Sequence, residues 1–228
     1  MSQTKTPQSD TSNSKKMVVL VIAIVVALVA LVGGGALLLG AMEKSDAGQV
    51  AAGGSGAPDP AEAENREWTG TLDFNGKAMD VTLFGDKAPQ AVASFLHLSE
   101  TDFFDGTACH RLTTGGFDIL QCGDPTGTGT GGPGYEFGPV ENAPANNLYK
   151  KGTLAMARTS DPNSNGSQFF LVYGDTTIDP GAAGGYTVFG EITGGLDAVE
   201  KVAAQGTVDG AQDGAPAAPA VLGAASFK

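Results

Sequence analysis

The chain has 228 residues and a formal net charge of −12 at pH 7, with 25 acidic and 13 basic side chains. Because binding to nucleic acid needs a basic face, this charge argues against DNA and RNA as partners. The chain has only two cysteines and two histidines, too few for a structural zinc cluster, so no metal site is predicted.

The N-terminal region divides into a polar tail and an apolar segment. Residues 1–16 are rich in Ser, Thr and Gln and are predicted to be disordered. Residues 17–42 carry no charge, and at about 1.5 Å per helical residue they are long enough to cross a bilayer. Lys15 and Lys16 precede this segment, which favours a cytoplasmic N-terminus and an exported remainder. We therefore predict a single-pass signal anchor in the cell membrane, with the domain on the extracytoplasmic side.

A cleaved signal peptide is the alternative interpretation of residues 17–42. The segment is longer than the apolar region of about 7–15 residues in such peptides, which favours a retained anchor. No cysteine follows it directly, so lipoprotein processing is excluded. Residues 43–66 are rich in Gly, Ala and Pro without a hydrophobic period, and are predicted to be a flexible linker. Residues 67–228 remain, roughly 160 residues, a common size for one domain.

The domain begins with the pattern of a β-hairpin followed by a helix. Trp68–Phe74 and Met79–Phe84 alternate in polarity around Asn75-Gly76, a dipeptide typical of two-residue hairpin turns. Pro89–Ser99 starts with proline and has apolar residues at helical spacing. This pattern predicts a short amphipathic helix.

Two further strands, Cys109–Leu112 and Phe117–Cys122, are predicted on either side of a Thr-Thr-Gly-Gly turn. The Gly/Thr-rich loop that follows, Thr126–Gly134, is superficially similar to loops that hold phosphate. It lacks the lysine and the strand–loop–helix context of those loops, so we do not predict nucleotide binding.

The rest of the chain has the pattern of short strands with one more helix. Strands are predicted at 154–157, 168–173, 186–192 and 221–227, and a helix at 196–204. Many short strands, two helices and abundant turn glycines predict an all-β fold, a closed antiparallel β-barrel with two helices.

The two cysteines, Cys109 and Cys122, flank the second hairpin. In a domain predicted to lie outside the cytoplasm, a disulfide between them is one interpretation, and two buried thiols is another. A nucleophilic Cys109 activated by His110 is a third. We reject it because adjacent strand residues point to opposite faces.

The candidate functional residues lie in two separate segments. In the first, Arg111 lies beside a turn that leads into a strand ending at Gln121. In the second, Gln168 and Phe170 share one face of a strand, since side chains two apart point the same way. A guanidinium, two amides and several apolar side chains can line one cleft. Neither segment contains a nucleophile–base pair or a set of metal ligands, so we predict chemistry without a covalent intermediate or a cofactor.

Six motifs occur in order between Trp68 and the C-terminus: HRL, LQCGD, GTGTGG, LAMAR, NSNGSQFF and YTVFGEI. Together they resemble the cyclophilin-type peptidyl-prolyl cis–trans isomerases, and the combination of HR, NGSQFF and VFG is highly specific. The resemblance implies a closed eight-stranded antiparallel barrel capped by two helices, and isomerisation of peptide bonds before proline without a cofactor. The expected partners are proline-containing segments of unfolded or exported proteins, and the expected form is a monomer.

The resemblance also implies roles for individual residues. Arg111, Gln121 and Gln168 match catalytic positions, with Arg111 as the hydrogen-bond donor to the prolyl nitrogen. The positions that match substrate-binding residues are His110, Phe117, Ile119, Gly129, Ala157, Phe170, Ile178 and Tyr186.

The sequence departs from the family pattern in three places. The turn over residues 113–120 is longer than the family's, so the alignment of Phe117 with the aromatic floor of the proline pocket stays open. The loop at 176–185 lacks the tryptophan–leucine pair of many relatives, and Ile178 is left to form that wall. Tyr186 stands where some relatives have histidine. A proline-peptide binding or chaperone module with weak catalysis is the alternative function, whereas a hydrolase is disfavoured because no nucleophile elbow is present.

Overall fold

The computed structural model describes residues 56–228, which belong to one compact unit. The predicted tail at 1–16, the predicted membrane segment at 17–42 and most of the predicted linker lie outside the described residues. Within 56–228, none of the helices combines the length and the apolar character that crossing a bilayer requires.

The end of the predicted linker packs on the domain. A 3₁₀ helix at Pro60–Ala63 is capped by the Asp59 carboxylate, which accepts a backbone N–H two residues later at 2.9 Å. Ala63 is fully buried, and its carbonyl accepts a hydrogen bond from the Trp68 indole at 2.9 Å. The folded domain therefore starts upstream of the predicted boundary at residue 67, because this short helix contributes buried surface to the core.

The first two strands form the predicted hairpin. β1 (Glu67–Phe74) and β2 (Lys77–Phe84) pair antiparallel along their whole length. Asn75 and Gly76 both have positive φ, 53° and 74°, as the type I′ turn between twisted strands requires. The predicted hairpin is confirmed.

The first predicted helix spans Pro89–Glu100 (α1) and is also confirmed. Pro89 favours the first turn because its fixed φ suits a helix and its missing N–H would have no partner there. The backbone N–H groups of Gln90 and Ala91 donate to the Glu141 carboxylate at 3.1 and 3.0 Å. A negative charge at this end is favoured by the helix dipole, so Glu141 takes the place of an N-cap side chain.

The rest of the domain consists of short strands and one more helix. Their bounds are β3 (Arg111–Thr113), β4 (Ile119–Cys122), β5 (Leu148–Tyr149), β6 (Thr153–Met156), β7 (Phe169–Val172), β8 (Thr176–Thr177), β9 (Val188–Gly194), α2 (Asp197–Ala203), β10 (Asp213–Gly214) and β11 (Leu222–Phe227). The sequence does not predict β5, β8 and β10, because a two-residue strand is too short to show a period.

Nine strands form one antiparallel sheet in the order β10-β3-β4-β7-β6-β9-β2-β1-β11, and β5 pairs separately with β8. The sheet curls into a half-barrel, and a single bridge between Ala108 and Val221 links the segments that precede β3 and β11. The mostly-β fold with two helices is confirmed. The structure has nine strands in this sheet instead of the predicted eight, and β10 and β11 form its two ends, so the predicted closure is not shown.

The centre of the sheet is apolar on both faces, which produces two separate clusters. On β7, Phe169 and Leu171 point into the main core, where Phe169 lies 5.4 Å from the Phe95 ring of α1. Phe170 and Val172 belong to the second cluster. Alternation along the strand explains why four consecutive apolar residues are all buried.

Candidate active site

A row of side chains crosses the sheet on the face of the second cluster. Arg111 on β3 is paired in register with Gln121 on β4. Gln121 is paired in turn with Phe170 on β7, and Phe170 with Ala155 on β6. Because residues directly opposite each other on neighbouring strands point to the same face, these four side chains lie on one side of the sheet. The structure therefore brings three of the predicted site residues together.

A chain of hydrogen bonds orients the polar part of this row. Arg111 Nη1 donates to Gln121 Oε1 at 3.2 Å, and Gln121 Nε2 donates to Gln168 Oε1 at 2.8 Å. Gln168 Nε2 then donates to the carbonyl oxygens of Gly129 and Gly131 at 3.0 and 2.9 Å. Each amide accepts through its oxygen and donates through its nitrogen, so the chain has one consistent direction. The guanidinium is thus coupled to the glycine-rich loop through both predicted glutamines.

The opposite side of the guanidinium is held by Asp213, a residue that sequence reasoning missed. Arg111 Nε and Nη2 donate to its two carboxylate oxygens at 2.8 and 2.7 Å, which makes a bidentate ion pair. The hydrogen bond from Arg111 lowers the pKa of Asp213 from its ordinary value, and the same bond raises the pKa of Arg111. The two residues are 102 positions apart. Asp213 belongs to no motif, so the sequence contains no signal for this contact.

The apolar side chains beside the row form the second cluster. It contains the predicted residues Phe117, Ile119, Ala157, Phe170, Ile178 and Tyr186, together with Tyr149, Ala155, Val172 and Val188, which the sequence analysis did not single out. Alternation could have found two of these, because Val172 lies two residues from Phe170 and Ala155 lies two from Ala157. Tyr149 lies on the unpredicted strand β5.

The second cluster has a buried floor and an aromatic rim. Ile119 and Phe170 are 2% and 3% exposed, whereas Phe117 and Tyr186 are half-buried. The centroid of the Phe117 ring lies 5.9 Å from the guanidinium carbon of Arg111, so this ring of the cluster is beside the cation. Phe170 and Tyr186 meet edge to face with ring centroids 5.5 Å apart. A small apolar ring bound on this cluster would lie next to the guanidinium.

The glycine-rich loop is organised by the buried Asp124 carboxylate. Its oxygens accept hydrogen bonds from the backbone N–H groups of Thr126, Thr128, Gly129 and Gly131 at 2.7, 3.1, 2.6 and 3.1 Å. Burial raises the pKa of Asp124, but the hydrogen bonds outweigh this effect and hold the pKa far below its ordinary value. The backbone donors that make the loop similar to a phosphate site are thus occupied by the chain's own carboxylate.

His110 packs under this loop and lies apart from the row. A Cβ atom on Gly129, whose φ is 87°, would lie 3.6 Å from the imidazole ring. Within residues 56–228 neither ring nitrogen has a hydrogen-bond partner, and burial lowers the pKa of His110 from its ordinary value. Successive extended residues point to opposite faces, which explains why His110 is separated from Arg111.

A cavity of about 370 Å³ adjoins the row on the side of Gln168. Its lining includes Gln121, Gln168, Ala157, Arg158 and the main chain of Gly129. Two of the predicted substrate-binding positions, Gly129 and Ala157, therefore face this groove. Its size is that of a small-ligand or peptide side-chain site.

The two cysteines form a disulfide that lies behind the site. The S–S distance is 1.96 Å and the Cα–Cα distance is 4.0 Å. Both sulfurs are buried in the main core, and Cys122 follows Gln121, so it points to the opposite face of the sheet. The bond therefore crosslinks the two chain segments that carry Arg111 and Gln121.

The groups present define what this site can do chemically. In the described part of the chain, no group of three or more His, Cys, Asp or Glu side chains is placed to hold a metal ion. The Arg111 guanidinium stays charged at all physiological pH values and can donate hydrogen bonds, but it cannot act as a base. The arrangement suits a ligand with an apolar ring and a lone pair that needs a donor.

Sequence comparisons identify the relatives of this chain. The family model described as cyclophilin type peptidyl-prolyl cis-trans isomerase/CLD matches residues 71–224. Probable peptidyl-prolyl cis-trans isomerase B of Mycobacterium tuberculosis is 46% identical over 147 residues, which are 59% of this chain and 46% of that protein. The protein of the same name from Mycobacterium leprae is 48% identical over 143 residues, which are 58% of this chain and 47% of that protein. The chain thus spans about half the length of these curated relatives.

A solved structure has the same fold. The cyclophilin type peptidyl-prolyl cis-trans isomerase of Cryptosporidium parvum, crystallised in the presence of the dipeptide Ala-Pro, has a TM-score of 0.59 and 29% identity. The match covers 70% of this chain and 98% of that chain. The residues matched by the family model include the whole row, the second cluster and Asp213. On the strength of the family match and of this shared fold, the chain belongs to the cyclophilin-type peptidyl-prolyl cis–trans isomerase family.

Proposed function

We propose that this chain catalyses the cis–trans isomerisation of peptide bonds that precede proline, without a covalent intermediate or a cofactor. The observation that carries the proposal is the Arg111 guanidinium, which Gln121 holds on one side and Asp213 on the other, beside an apolar cluster. Membership of the family supports the same activity.

The reaction itself needs no bond to a nucleophile. Rotation about a peptide bond is opposed by amide resonance, with a barrier of about 18–20 kcal/mol. The cis and trans forms of an X-Pro bond differ by only about 0.5–1 kcal/mol, yet they exchange in tens to hundreds of seconds when unaided. In the twisted transition state the prolyl nitrogen becomes pyramidal and gains a lone pair. A donor aimed at that lone pair binds the transition state more tightly than the planar ground state, which is the condition for catalysis.

Arg111 is the proposed donor to the prolyl nitrogen. Its guanidinium stays protonated, and its N–H groups have fixed directions. One N–H of Nη1 is given to Gln121 and one of Nη2 to Asp213, and each of these nitrogens carries a second N–H. Those second N–H groups are the ones we propose to meet the substrate.

The second cluster is proposed to hold the proline ring. The ring would rest on the buried Ile119 and Phe170 with Phe117 at the rim, and its binding would displace water from the guanidinium. A hydrogen bond is stronger where water is excluded, so the apolar floor increases the effect of the donor. Gln121 and Gln168 are proposed to position the donor and the rotating carbonyl group.

The proposed substrates are proline-containing segments of unfolded or exported proteins. The groove beside Gln168 can receive residues next to the proline, because its lining combines the small Ala157 with several glycines, which leave room for a peptide of any sequence. This supports broad selectivity for proline segments.

The proposal is tested by measuring isomerisation of a proline-containing peptide with the purified full chain. We expect the exchange rate, followed by NMR or by a protease-coupled assay, to increase in proportion to the concentration of the chain. The alternative, a proline-peptide binding or chaperone module, predicts peptide binding without acceleration. A rate equal to that of the free peptide would contradict catalysis, and a measured affinity for the peptide would then favour the binding module.

We further propose that residues 17–42 anchor the chain in the cell membrane, with the isomerase domain on the extracytoplasmic side. The absence of charge in this segment and the lysines before it support the proposal. In cell fractionation we expect the full chain in the membrane pellet, and a variant lacking 17–42 in the supernatant. A full chain that fractionates like the deletion variant would contradict the anchor.

A further inference from the structure

We infer that Asp213 is a positioning residue: it holds one edge of the Arg111 guanidinium and thereby directs the other N–H groups toward the prolyl nitrogen. The inference rests on the proposed isomerase function and adds to it a residue that lies outside the motifs of the sequence. Arg111 Nε and Nη2 donate to the two carboxylate oxygens of Asp213 at 2.8 and 2.7 Å.

The loop that carries Asp213 is held by hydrogen bonds of its own. Residues 206–217 fold back on themselves, and Val208 N donates to the Ala215 carbonyl at 2.9 Å. From the base of the loop, Thr207 Oγ1 donates to the Ala211 carbonyl at 2.6 Å. The shape of the loop therefore does not depend on the ion pair with Arg111.

The same loop docks on the edge of β3. Asp213 is paired in register with Thr113, and Thr114 N donates to the Gln212 carbonyl at 2.8 Å. Thr113 is the last residue of β3, and Thr114 begins the turn that follows it. The edge of β3 and the start of this turn thus hold the backbone of Asp213, which places its carboxylate beside the guanidinium.

Two contacts to one carboxylate define the plane of the guanidinium. Gln121 contributes a single hydrogen bond, which leaves the planar group free to rotate about that contact. The paired bonds to Asp213 remove this freedom, since two parallel N–H···O bonds match the flat geometry of both groups. With its plane defined, the guanidinium holds the second N–H groups of Nη1 and Nη2 in fixed directions within that plane.

A carboxylate beside a catalytic cation also has an opposing effect, because it reduces the positive potential that the substrate meets. The side chains of Arg111 and Asp213 are 38% and 55% exposed. Solvent therefore screens the change in potential, whereas the orientation of a donor is not screened. Orientation dominates, so Asp213 assists the reaction and does not inhibit it.

The decisive experiment compares Asp213→Asn with wild type in the full chain. The substitution keeps the shape of the side chain but removes its charge and one acceptor oxygen. We expect kcat/KM to fall about tenfold or more, because a small misalignment of a catalytic group has a large effect. We expect the affinity for the proline peptide to be unchanged, since the planar ground state does not need the aimed donor. Asp105→Asn, which removes the same charge from an exposed aspartate outside this loop, is the matched control and should retain the wild-type rate.

NMR of the Arg111 Nε–H proton tests the contact with Asp213 independently of isomerase activity. In wild type the Arg111 Nε–H proton should exchange slowly with water in NMR spectra, and Asp213→Asn should shift its resonance and speed its exchange. A wild-type chain without isomerase activity would refute the proposed function, whereas the NMR result would still decide whether Asp213 holds Arg111. Activity of Asp213→Asn at or above the wild-type level would overturn the inference, and so would an unchanged Arg111 Nε–H signal.

Discussion

Replacing Arg111 with alanine is expected to lower kcat/KM for prolyl isomerisation by roughly 100- to 1,000-fold, the loss typical when a transition-state donor is removed. The affinity for the proline peptide should change little, because the lone pair that the guanidinium stabilises exists only in the twisted transition state. NMR exchange measures the rate, and calorimetric titration with the same peptide measures the affinity.

The variant is expected to fold. The ion pair between Arg111 and Asp213 is partly exposed, and such pairs contribute only about 0–1 kcal/mol to the free energy of unfolding. Arg66→Ala is a matched control, because it removes another partly exposed arginine, which pairs with Glu64 at 2.8 Å. Its activity should equal that of wild type.

Arg111→Lys separates the charge from the geometry of the donor. Lysine keeps the positive charge but lacks the planar fork that contacts Gln121 and Asp213 together. We therefore expect its activity to lie close to that of Arg111→Ala. Wild-type activity in Arg111→Ala would show that the apolar cluster alone is responsible for catalysis.

Removing the disulfide is expected to lower the free energy of unfolding by about 2–4 kcal/mol. The double variant Cys109→Ala, Cys122→Ala is preferred to serine substitutions, because both positions are buried in the main core and a hydroxyl there would lack a partner. The two cysteines are 13 residues apart, and closing a loop of this length accounts for about 3 kcal/mol in the chain-entropy model. Urea unfolding of the oxidised wild type and of the double variant measures the difference.

Reduced wild type is the control for this experiment. With a reducing agent present, wild type should unfold at nearly the same urea concentration as the double variant, because neither then contains the crosslink. Equal unfolding midpoints for the oxidised wild type and the double variant would contradict a stabilising role for the disulfide.

Sequence patterns over a few residues were sufficient to predict the elements that interactions between near neighbours in the chain determine. The β1–β2 hairpin follows from Asn75-Gly76, since few other dipeptides accept two positive φ values in succession. The helix α1 follows from Pro89 and from apolar residues at helical spacing. The same reasoning placed Gln168 and Phe170 on one face of a strand, because strand side chains alternate, and Phe170 lies in the second cluster.

Sequence patterns could not predict the two-residue strands or the contacts at the edge of the sheet. β5, β8 and β10 have two residues each, so they are strands only because a neighbouring segment provides hydrogen bonds. The wall residue Tyr149 lies on β5 and was missed for this reason. The predicted closed barrel was derived from a count of strands, and that count cannot show that β10 covers the edge of β3.

By itself the sequence determined the family and the presence of Gln121 and Gln168 beside Arg111. It also determined the two strands of the hairpin that carries Arg111 and Gln121, and the alternation that places site residues and core residues on opposite faces of the sheet. Only the tertiary structure decided that the sheet has nine strands, that Asp124 occupies the donors of the glycine-rich loop, and that Asp213 holds the catalytic candidate Arg111. Alternation and turn chemistry act between residues close together in the chain. A contact across 102 positions depends on how a loop docks on a sheet edge, and it is specified by packing of the whole domain.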